Sequence, residues 1–66
     1  MTRQDLESEI ISTLSSLRIA RVLYEHTDLF ADHSDERQMA HLERLRQQVD
    51  RVNDRLNEQL DYLSRM

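Results

Sequence analysis

HLERLRQQVDRVNDRLNEQLDYL, residues 41–63, sets Leu42, Leu45, Val49, Val52, Leu56, Leu60 and Leu63 at steps of three or four. Such steps bring side chains round to one face of an α-helix, so the segment predicts a long helix with a single apolar seam of coiled-coil type. Gln59 falls where a strict heptad wants an apolar residue, and Leu60 takes over one position later. The reading is therefore a seam that drifts as a straight helix drifts, and bundle packing instead of a long supercoil.

Upstream, Leu6, Ile10, Leu14, Leu17 and Tyr24 recur at about 100° per residue and define the apolar stripe of a first helix. Thr2 followed by Asp5 fits a capping-box start, with the threonine oxygen placed to take an orphan N–H of the first turn. Between the stripes lies Thr27-Asp28-Leu29-Phe30-Ala31-Asp32-His33-Ser34-Asp35-Glu36, a cluster of capping residues. Asp32 or Ser34 would cap the second helix, with Asp35 and Glu36 in its first turn against the dipole. The expected chain is one domain over residues 1–66: helix 1 about 3–31, a turn about 31–34, helix 2 about 35–65. Leu29 and Phe30 would plug the hairpin end, or lie on a longer loop if helix 1 stops near His26. Without glycine or proline a single unbroken helix of about 95 Å is sterically possible, but the two stripes do not run on in phase across the polar cluster.

Composition agrees with an all-α chain, because every residue is one that a helix tolerates. With 66 residues and no cysteine, disulfides and thiolate metal sites are excluded. Oligomerisation is the remaining way to supplement a small core. All nine basic residues are arginine and the net charge is −4, a balance that disfavours non-specific nucleic-acid binding. No leader and no apolar run of bilayer length are read in the sequence, so the expectation is a soluble, cytoplasmic protein with no membrane partner.

The stretch between Leu17 and Tyr24 carries more apolar surface than one neighbouring helix can cover. There helix 1 is apolar nearly all round, because Ile19, Val22 and Leu23 project away from Leu17 and Tyr24, and only Arg18 and Arg21 interrupt. One neighbouring helix can cover one side only, while each exposed Val, Ile or Leu forgoes about 1.5–3 kcal/mol of burial. The simplest resolution is a homodimer in which two antiparallel hairpins make a four-helix bundle. A hetero-complex in which this face receives a partner's helix or groove is the other, and both can hold. The interface residues are then Ile19, Val22, Leu23, Leu29 and Phe30.

Helix 2 carries two lines of charge. Arg37, Arg44, Arg51, Arg55 and Tyr62 form one, and Glu36, Glu43, Asp50, Asp54 and Asp61 the other. These are either a solvated face with weak pairs such as Asp61 with Arg65, or a docking surface whose arginines meet acidic groups with Tyr62 as anchor. Ser8, Ser12, Ser15 and Ser16 line the outer side of helix 1, as a solvated face or a site of close helix approach. The turn gathers Glu25, Asp28, Asp32, Asp35 and Glu36 with His26 and His33, but in no spacing that matches an EF-hand or a zinc site. Acidic capping explains them without metal, and His41 is read as packing at the flank of the seam. No nucleophile, base and orienting group are readable, and two packed helices fill their own interior, so neither catalysis nor a cofactor is expected.

The opening Met1-Thr2-Arg3-Gln4, the hairpin length and the Ala31-Asp32 turn resemble the Rop family of plasmid copy-number regulators, dimeric four-helix bundles that bind paired RNA loops. The resemblance implies a dimer, and RNA binding through a basic and aromatic face of the first helices. This chain has there only Arg3, Arg18 and Arg21, with no phenylalanine mid-helix. In size, acidity and helical pattern it is also similar to small phage proteins that silence a host protein and to helical-hairpin chaperones of type III secretion. The function expected is thus a non-enzymatic regulator or adaptor acting on another protein. A Rop-like RNA-binding dimer and a purely structural oligomerisation module are the alternatives.

Overall fold

The computed structural model describes residues 2–66; Met1 of the quoted opening lies outside them. Two α-helices, α1 (Arg3–Phe30) and α2 (Glu36–Ser64), pack against each other as a hairpin about 48 Å long and 14 Å across. The unbroken-helix alternative is excluded by that shape.

Each helix starts where a side chain takes up the backbone groups that a helix leaves orphaned. At α1 the Thr2 hydroxyl accepts from the Asp5 N–H at 3.1 Å, and the Asp5 carboxylate accepts from the Thr2 N–H at 3.3 Å, closing the capping box. At α2 the cap is Asp35, whose Oδ1 accepts from the Arg37 N–H at 2.9 Å, and not Asp32 or Ser34 as the sequence suggested. Those two residues build the turn instead. Asp32 Oδ1 accepts from the Ser34 N–H at 2.9 Å and hydroxyl at 2.6 Å, while the Asp35 N–H donates to the Asp32 carbonyl at 3.0 Å. This local bonding makes the reversal without any positive φ, and hence without glycine. The Ser34 hydrogen bonds, more than the nearby His33, hold the Asp32 carboxyl below the usual aspartate range.

The seam is more regular than its apolar residues suggest. On α1 Leu6, Ile10, Thr13, Leu17, Ala20, Tyr24 and Thr27 are sheltered in steps alternating between four and three, with Asp28 half-buried beside the last of them. On α2 they are Leu42, Leu45, Val49, Val52, Leu56, Gln59 and Leu63, in steps of three and four. Both are unbroken heptads. Leu6, Ile10, Leu17 and Leu56 form the central cluster, against which Val49, Val52 and Leu63 pack.

Two expected seam residues are displaced by polar neighbours. Leu14 lies outside, 48% exposed, and Thr13 takes the inner place. Burial of Thr13 is affordable because its hydroxyl donates to the Glu9 carbonyl at 2.9 Å, within its own helix. Likewise Leu60 is 45% exposed, while Gln59 is buried to 9% with its Oε1 unpartnered. The drift at Gln59 does not occur: the helix keeps its seven-residue register through a glutamine. Ala20 completes the inner stripe as a small residue between Leu17 and Tyr24.

Candidate functional site

The outer surface of α1 is where this fold leaves chemistry unspent. Ile11, Leu14, Ile19, Val22, Leu23, Leu29 and Phe30 are all exposed, Leu29 and Phe30 by about three quarters. The helix runs through Phe30, so Leu29 and Phe30 stand on its last turn and not on a loop. Neither plugs the hairpin end. The Phe30 ring instead rests against His26, with centroids 4.9 Å apart.

Helical spacing sorts these residues into two strips. Ile19, Leu23 and Phe30, separated by four and seven, share one strip, and Ser12 and Ser16 continue it towards the start of α1. Ile11, Leu14, Val22 and Leu29 share a second strip with Arg18 and Glu25 on the other flank of the inner face, and Ser8, Ser15 and His26 lie between the two. The interface residues read from the sequence therefore do not all lie side by side: Val22 and Leu29 belong with Leu14, and Leu23 with Ile19 and Phe30. Leu14 was missed because it was assigned to the seam, and Ile11 because it follows Ile10 directly.

Each strip borders a shallow depression. Leu14, Leu17, Arg18, Arg21, Val22 and Glu25 line one. Glu9, Ser12, Thr13, Ser16, Val52 and Arg55 line the other, which brings two of the outer serines beside the arginine line of α2. Arg37, Arg44, Arg51, Arg55 and Tyr62 are exposed, as is the acidic line of Glu36, Glu43, Asp50, Asp54 and Asp61. Among the described residues α2 makes one ion pair, Asp61 with Arg65 at 2.8 Å, four residues apart. The other members of both lines face solvent, as does His41.

The turn residues are used locally. His33 Nε2 lies 3.0 Å from Asp28 Oδ1, Asp32 binds Ser34, and Asp35 caps α2. Among the described residues no three His, Asp or Glu side chains converge as a metal would require, and no helix is long and apolar enough to cross a membrane.

The fold defines a two-helix hairpin with a heptad seam and an uncovered apolar outer surface on its first helix. No known protein family, curated protein or solved structure matches the chain.

Proposed function

We propose that this chain is a non-enzymatic regulatory or adaptor protein that works through contacts of the outer surface of α1, self-associating as a four-helix bundle and presenting its remaining apolar surface to another protein. One observation carries this reading: from Ile11 to Phe30, α1 exposes seven large apolar side chains, each by about half or more. Water-exposed apolar surface on that scale marks a surface awaiting a partner. Two separate strips, one on each flank of the inner face, give room for both uses, self-association through one and a second protein on the other. Inhibition of a target and chaperoning of one both draw on such a surface.

Val22→Arg tests the reading, since it sets a charge among the exposed apolar residues while leaving the seam untouched. The expected result is a fall to monomer mass in light scattering, or loss of the bound protein, with helix content unchanged by circular dichroism. A Val22→Arg protein with unaltered mass and unaltered binding would remove the proposal.

A second reading, RNA binding by a dimer, has its support in the unpaired, exposed arginines of α2. Arginine forks suit phosphate, and Tyr62 on the same line suits base stacking. The acidic line beside them opposes it through like-charge repulsion with phosphate. Gel shifts with structured RNA over a salt series separate the readings: the protein-binding proposal predicts no complex even at low salt, and a complex that weakens steeply with salt would favour RNA.

A further inference from the structure

The strip of α1 that carries Leu14 has an order that becomes informative when read from both ends. Leu14, Arg18, the adjacent pair Arg21 and Val22, Glu25 and Leu29 are spaced symmetrically about a centre between Arg21 and Val22. Reflected through that centre, Leu14 exchanges with Leu29 and Arg18 with Glu25. Leu14 and Leu29 match and Arg18 and Glu25 are opposite in sign, while Val22 exchanges with Arg21 and the strip's Ile11 lies outside the repeat. Among the described residues Arg18, Arg21 and Glu25 make no ion pair, and all three are exposed, so their charge is free for another surface.

From this we infer that the occupant of the strip is a second copy of the same chain, with the two α1 helices antiparallel across a twofold axis that passes between Arg21 and Val22. The inference rests on the self-association proposed above and specifies its geometry. In an antiparallel pair, residues equidistant from the axis meet. Arg18 then lies against the partner's Glu25 and Leu14 against the partner's Leu29, while Arg21 and Val22 flank the axis, each close to its own copy. The depression lined by Leu14, Leu17, Arg18, Arg21, Val22 and Glu25 becomes the hole into which the partner's side chains pack.

Charge favours this register on balance, because two pairs of Arg18 with the partner's Glu25 form against one approach of Arg21 to its own copy at the axis. A shift that centres the axis on Arg18 sets that arginine against its own copy, and one that centres it on Glu25 does the same with glutamate. A parallel arrangement about an axis along the helices brings like residues to the same level, Arg18 by Arg18 and Glu25 by Glu25. Like charges placed together are penalised at an interface, and opposite charges fix orientation. Ile19, Leu23 and Phe30 stay outside this contact, which leaves their strip to a different protein.

A charge-exchange experiment tests the pairing, with the dissociation constant read by sedimentation equilibrium on the full chain. Arg18→Glu and Glu25→Arg are each expected to weaken the dimer by about tenfold, since either substitution turns two symmetry-related attractions into repulsions. The two change net charge in opposite directions, so a common weakening cannot come from net charge. The double variant Arg18→Glu/Glu25→Arg restores opposite signs and should return to within about threefold of the unsubstituted chain. Both sites are exposed, so each variant should keep its helix content, which circular dichroism checks. Single variants that dimerise normally, or a double variant as weak as the singles, would overturn this pairing while leaving self-association standing. An unsubstituted chain that stays monomeric throughout would overturn both.

Discussion

Leu56→Ala is expected to unfold the hairpin, whereas Leu60→Ala, one helical turn further along the same helix, should cost it little. Leu56 is buried at 8% exposure in the central cluster with Leu6, Ile10 and Leu17. Truncating a core leucine removes about 2–5 kcal/mol, partly as lost transfer energy and partly as the cavity left behind. Small domains hold only about 0.05–0.15 kcal/mol of stability per residue, so that loss is of the order of the whole for a chain of 66 residues. Leu60, at 45% exposure, keeps much of its surface in water in either state, and its truncation should stay below about 1 kcal/mol. Urea denaturation followed by circular dichroism measures both. Equal losses at the two positions would mean that Leu60, and not Gln59, belongs to the seam.

Gln59→Leu is expected to stabilise the fold. The amide oxygen of Gln59 is buried without a hydrogen-bond partner, in the middle of a stripe that is otherwise suited to apolar side chains. A buried and unsatisfied polar group costs about 1–3 kcal/mol, and leucine at the same heptad position removes that cost while adding apolar contact. The urea midpoint should therefore rise. A single polar residue in a coiled-coil seam also specifies register and oligomeric state at the expense of stability. The leucine variant should accordingly show a broader range of masses in sedimentation velocity than the unsubstituted chain. A fall in the urea midpoint would instead mean that the amide finds a partner when the protein assembles.

The large features of this fold are legible in the residues because each comes from a strong local signal. Leucine and valine at three- and four-residue steps make α2 unmistakable, the Thr2 and Asp5 pair marks the start of α1, and the Asp/Ser/His cluster is the one place where neither stripe continues. The details that escaped have a common cause. Hydrophobicity ranks Leu14 above Thr13 and Leu60 above Gln59, but the seam is set by the geometry of two long helices that must stay in contact along their whole length. Holding the seven-residue register buries one threonine hydroxyl, which bonds back to Glu9, and the Oε1 of one glutamine, which has no partner among the described residues. Letting the seam drift to Leu14 and Leu60 would rotate the helices out of contact.

The turn repeats the lesson on a smaller scale. Asp32, Ser34 and Asp35 are all good caps by type, and only the backbone path determines that Asp35 caps α2 while the other two bond each other. In the same way, the apolar excess of α1 is plain from composition. Its division into a Leu14, Val22 and Leu29 strip and an Ile19, Leu23 and Phe30 strip becomes readable only once the inner face is fixed. Because Thr13 holds the inner place, Leu14 belongs to the first strip.

The account stands on the claim that the outer strips of α1 are covered in the working protein. Sedimentation equilibrium of the unsubstituted chain across a wide concentration range tests this most directly. It should give twice the 8.0 kDa of one chain, falling towards that value only on dilution. A single species of 8.0 kDa that stays folded and soluble at the highest concentration, with Leu14, Val22 and Leu29 in water, would contradict it.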